Sequence, residues 1–109
     1  MTQSELFPEA ERERLRSVLR ARKPRSAWLF GSRAKGKARP DSDVDLLIID
    51  ERAGGREGIE IDISVDLFPR HWHLDILAFT PESIDIERRN PESFVSRVMK
   101  EAVLLYEQN

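Results

Sequence analysis

Apolar positions along the chain change period from segment to segment, and each change marks an element. From Pro8 to about Arg22 the period is helical, with Leu15, Val18 and Leu19 on one side and Pro24 ending the run. Ala27-Trp28-Leu29-Phe30 is a short apolar strand, and Val44 to Ile49 is an unbroken apolar run that reads as a strand buried on both faces. Ala53-Gly54-Gly55 is a turn. Ile59 to Phe68 carries two patterns at once. Ile59, Ile61, Ile63, Val65 and Leu67 alternate with polar residues as in a strand, while Ile59, Ile63 and Leu67 also fall at helical spacing. His71 to Phe79 is the next strand. Thr80 then caps a helical turn with Pro81 in its first position, and Asn90-Pro91-Glu92 is expected to start the last helix in the same way. Phe94, Val98, Ala102 and Leu105, with Val95, Met99 and Tyr106 beside them, predict a broad apolar stripe on that helix, mostly core. Strands alternate with helices, so the fold class is α/β.

The chemistry is concentrated in residues 31–45. Gly31 and Gly36 bound a loop that carries the hydroxyl of Ser32 and the cations Arg33, Lys35 and Lys37. Glycines let backbone N–H groups come close to an anion, so this half suits phosphate. Asp43 and Asp45 open the apolar strand, and period two places both carboxylates on one face, about 7 Å apart along it. Their oxygens suit hard cations such as Mg²⁺. A phosphate loop joined to paired carboxylates points to a metal-bound nucleotide. Gly31-x-x-x-x-Gly36-Lys37 also begins a Walker A loop, but Ala38 stands where a hydroxyl should follow, and Pro40 conflicts with the long helix such a loop opens.

Gly31-Ser32-x-Ala34-x-Gly36, a short spacer and then Asp43-x-Asp45 leading into an apolar strand resembles the signature of the DNA polymerase β-like nucleotidyltransferases. The small size is similar to their smallest branch, the minimal nucleotidyltransferase antitoxins that pair with HEPN toxins. The resemblance covers roughly residues 26–82, and outside it the terminal segments match in length and helical character. It implies a small mixed sheet flanked by helices, with residues 59–68 helical as the crossover between parallel strands. It implies a third acidic residue on a later strand, for which Asp75 is the candidate. A carboxylate among Leu74, Ile76 and Leu77 is expensive to bury unless paired or bound to metal, the alternative being an edge position that faces water. Catalytic and metal-binding roles then fall to Asp43, Asp45 and Asp75, with two Mg²⁺ ions, and nucleotide binding to Gly31, Ser32, Arg33, Lys35 and Gly36. By the same likeness the donor is ATP, and the acceptor is a tyrosine hydroxyl of a HEPN ribonuclease toxin. Two alternatives stay open: an antitoxin acting by binding alone, and a nucleotidyltransferase acting on RNA or a small molecule.

Composition narrows the setting. A length of 109 residues fits one domain, 1–109, without room for a separate acceptor-binding domain, so a partner is expected to supply it. The absence of cysteine excludes disulfides and thiolate metal sites. No run reaches the apolar length of a membrane span, and the N-terminus lacks a signal-peptide core, so a cytoplasmic location is expected. The net charge of −2 divides unevenly: residues 1–40 hold eleven Lys and Arg against four Glu, and residues 41–109 hold seven against sixteen acids. The basic half could steer polyphosphate toward the loop. Arg12, Arg14, Arg16, Arg20 and Arg22 lie within helical reach of Glu9, Glu11 and Glu13 and read as a solvated helix face, so direct nucleic-acid binding is not expected. Asp50, Asp62 and Asp66 also read as solvated, and His71 and His73 as ordinary strand-end residues.

Overall fold

The apolar run that begins after Asp43 becomes the second strand and the centre of the molecule. The computed structural model describes residues 9–34, 43–70 and 72–108. Strand β1 is Ser26–Phe30, β2 Val44–Ile49, β3 Leu74–Phe79 and β4 Val103–Glu107, in the order β3-β2-β1-β4. β1 runs antiparallel to both β2 and β4, whereas β2 and β3 are parallel, so the sheet is mixed. Val44, Leu46, Leu47 and Ile48 are all buried, as expected for a strand covered on both faces.

Helices α1 (Glu9–Arg22) and α2 (Ile59–Asp66) cover one face of the sheet, where Leu15, Leu19, Ile59 and Ile63 meet Ala27, Leu29, Val44, Leu46 and Ile48. Helices α3 (Pro81–Arg88) and α4 (Phe94–Met99) cover the other, where Ile84 and Val95 meet Leu47, with Trp28, Phe30, Ile49 and Phe79 around them. Removal of each such aliphatic side chain from water contributes roughly 1.5–3 kcal/mol, which makes the period of the apolar residues decisive.

That period settles the ambiguous segment. Ile59 and Ile63 are buried while Ile61 and Val65 are 43% and 66% exposed, so the helical spacing holds and α2 carries the crossover that parallel β2 and β3 require. Its polar side is tied to α1, since Arg22 donates to both carboxylate oxygens of Asp66 at 2.6 and 2.9 Å. Asp66 is therefore paired rather than merely solvated. Arg20 is the exposed, Glu-paired helix-face residue that the sequence suggests, at 2.7 Å from Glu13. Thr80 caps α3 as expected, its Oγ1 accepting from Ser83 N at 3.1 Å, with Pro81 in the first turn.

The C-terminal segment corrects the sequence reading. The last helix ends at Met99, and Leu105 and Tyr106 lie in β4, which pairs with the free edge of β1. An apolar run of this kind fits either period locally, and a strand edge lacking a partner decides it. The cap is Ser93, whose Oγ accepts from Ser96 N, whereas Asn90 Oδ1 accepts from Glu92 N in the turn before it. Asp50 is a second correction. It is only 3% exposed and accepts from the backbone of Arg25 and Arg52 and from the Arg52 guanidinium, at 2.7 to 3.2 Å. Burial works against its charge, but these hydrogen bonds, led by that of the Arg52 side chain, hold its carboxyl below the usual range.

Candidate active site

Three strand ends meet on one edge of the molecule: the last residue of β1 and the first residues of β2 and β3. In register, Phe30 stands opposite Asp45, and Asp45 stands beside Asp75 on the parallel neighbour. Side chains at paired positions share a face, and neighbouring strands lie about 4.8 Å apart, so Asp45 and Asp75 project side by side. Asp43 precedes Asp45 by two residues and is exposed. The backbone bond from Val44 N to His73 O, 2.8 Å, fixes the two strand starts against each other.

Gly31 follows Phe30 with φ +77, a conformation that glycine adopts without steric cost. A Cβ at this position would overlap Asp45 Oδ2 and stand 3.2 Å from Asp45 Cγ. The loop backbone is thus pressed against the carboxylate, and only glycine permits that approach. Gly31 to Ala34 form a turn in which Ser32 is exposed. Arg33 differs from the expectation of a cation facing phosphate: within this turn it is only 1% exposed. Lys35 and Gly36, with Lys37, lie outside the described residues, as does His71.

The electrostatics of the pocket centre on Asp45. Burial, then the negative charge of Asp75, then that of Asp43 push its carboxyl above the usual range, with His73 acting weakly in the opposite sense. Asp75 takes the edge position facing water that the sequence left open beside a metal or catalytic role. Its side chain is 60% exposed on this edge strand, and His73 Nε2 lies 3.3 Å from its Oδ1. Sequence reasoning passed over His73 as a strand-end residue. The signal was present in the spacing, since His73-x-Asp75 places both on one face.

Among the described residues no three metal-ligating side chains already converge. The donor chemistry nevertheless fits a hard divalent cation: carboxylates on one face, one of them held back from ionising by burial and then by the charges of the others, are the arrangement a cation relieves. Beside this site is a cleft of about 410 Å³ lined by Phe30, Gly31, Phe94, Arg97, Val98 and Glu101.

A mixed sheet whose glycine turn abuts an Asp-x-Asp strand start, with a third aspartate in register, defines a nucleotidyltransferase-like domain. Residues 13–109 match the family described as Polymerase beta, Nucleotidyltransferase, and the chain belongs to that family. Two solved structures are similar to it. A Sulfolobus solfataricus protein provisionally assigned as a nucleotidyltransferase shares 16% identity at a TM-score of 0.59, over 91% of this chain and 82% of its own. A toxin–antitoxin complex crystallised with AMP-PNP also shares 16% identity at a TM-score of 0.59, over 90% of this chain and 74% of the matched chain. At that identity both likenesses establish the fold. No curated protein matches the chain. No helix among the described residues is long and apolar enough to cross a membrane.

Proposed function

We propose that this protein is an antitoxin that transfers AMP from ATP to a tyrosine hydroxyl of a HEPN-type toxin. The observation that carries the reading is the alignment of Asp45 with Asp75 across β2 and β3, with Gly31 closed against Asp45. A domain that only bound its partner would have no need of carboxylates set side by side, with Asp45 pushed above its usual range by burial and then by the charges of Asp75 and Asp43. The toxin–antitoxin complex among the structural neighbours, crystallised with a nucleotide, supports the choice of partner.

The residues divide the work by chemistry. The turn at Gly31 and Ser32 supplies a hydroxyl and close backbone N–H groups for the β- and γ-phosphates. Asp43, Asp45 and Asp75 would hold Mg²⁺, which when bound supplies charge neutralisation on the triphosphate. Asp75 lies on the exposed side, open to an incoming acceptor, and takes the hydroxyl proton as the acceptor oxygen bonds to the α-phosphorus. The bond from the α-phosphorus to the bridging oxygen breaks, and pyrophosphate leaves in line. His73, 3.3 Å from Asp75, orients that carboxylate.

Incubation of the purified toxin with labelled ATP and Mg²⁺ tests the assignment. Wild type should label the toxin on tyrosine, and Asp43→Asn and Asp45→Asn should not. Equal labelling by both variants would refute these residues as the metal site.

A further inference from the structure

The cleft beside the carboxylates shares Gly31 and Phe30 with them. Phe30 pairs in register with Asp45, so whatever fills the cleft is contiguous with the site of the reacting phosphates. Its volume of about 410 Å³ falls within the size of small-ligand pockets. One wall is the side of α4 that carries Phe94, Arg97 and Val98, at offsets of three and four, with Glu101 in the turn after the helix. α4 buries Val95 against Leu47 and Ile84 while leaving Phe94 53% exposed. The platform is held in place: Ser93 Oγ accepts from Ser96 N and donates to Glu87 O at 2.8 Å, tying α4 to the end of α3.

We propose that this cleft receives the nucleobase and ribose of the nucleotide, with Phe94 as the stacking surface and Arg97 beside it; the proposal rests on the nucleotidyltransferase reading above. An aromatic ring at the wall of a partly apolar cleft offers a face to the flat base, and Val98 supplies apolar contact. The Arg97 guanidinium, one turn along, stacks on a base edge or meets the anionic ligand with opposite charge. A protein segment in this cleft would instead compete with the nucleotide for the space next to Gly31.

The test is calorimetric titration of wild type, Phe94→Ala and Phe94→Tyr with Mg-ATP and, separately, with Mg-tripolyphosphate, which lacks base and sugar. Phe94→Ala should weaken ATP binding roughly five- to hundred-fold, the range expected for the loss of one stacked base, and leave tripolyphosphate affinity unchanged. Phe94→Tyr should restore ATP binding. Unchanged ATP affinity in Phe94→Ala would overturn the proposal, as would an equal loss for both ligands. Loss of toxin capture by Phe94→Ala with ATP affinity intact would assign the cleft to the protein partner and overturn it too. Failure of wild type to bind either ligand would overturn the nucleotidyltransferase reading itself, and the cleft assignment with it.

Discussion

Gly31→Ala should destabilise the protein through two separable effects. The residue sits at φ +77, where an L side chain costs about 1–2 kcal/mol. The new methyl would also overlap Asp45 Oδ2, forcing that side chain off its rotamer at roughly 0.5–1.5 kcal/mol. The sum, roughly 1.5–3.5 kcal/mol, is a large share of the stability of a small domain and lowers Tm by on the order of ten to twenty degrees. Urea denaturation followed by tryptophan fluorescence measures it, since Trp72 is buried in the core and reports loss of packing. The two effects separate in a double-mutant cycle. In an Asp45→Ala background the carboxylate is gone, so Gly31→Ala should cost about 1 kcal/mol less than in wild type. A substitution with no cost, or with the same cost in both backgrounds, would refute the close approach of loop and carboxylate.

Asp45 holds its proton more tightly when folded, so its contribution is present at acid pH and is lost as pH rises through and above the ordinary carboxylate range. Asp45→Asn should therefore exceed wild type in stability at neutral pH while losing transfer; thermal melts between acid and neutral pH compare the two. Asp50 has the opposite sign, its stabilisation present above the ordinary range and lost as pH falls. Asp50→Asn should cost about 1–3 kcal/mol at neutral pH, with the difference shrinking on acidification, as read by urea midpoints across pH. Ser32→Ala should weaken ATP binding in calorimetry while leaving the melting temperature unchanged, since Ser32 is exposed.

The parts of this fold that local chemistry decides were legible in the sequence. The strand after Asp43 announces itself by an unbroken apolar run, and Thr80-Pro81 carries a cap and first-turn proline that need no tertiary context. Residues decided by distant partners were not. Leu105 and Tyr106 continue an apolar pattern that suits a helix, and only the open edge of β1 makes them strand. Asp50 looks solvated in a polar stretch, yet Arg25 and Arg52 close over it from two sides. The argument from burial does not carry Asp75. Burial among leucines does not apply on an edge strand, and what distinguishes Asp75 is its register with Asp45, a property of strand pairing that no single segment contains.

The central claim is that the carboxylates perform chemistry on a partner protein rather than merely shape a binding surface. The intact mass of the toxin after co-expression with wild type or with Asp75→Asn tests it most directly. Asp75 is exposed on an edge strand, so the substitution leaves the core undisturbed. The account predicts that toxin recovered with wild type is heavier by one or more AMP units on tyrosine. Toxin recovered with Asp75→Asn should be unmodified and still toxic to the cell. An unmodified toxin in both cases, with full protection by Asp75→Asn, would contradict it.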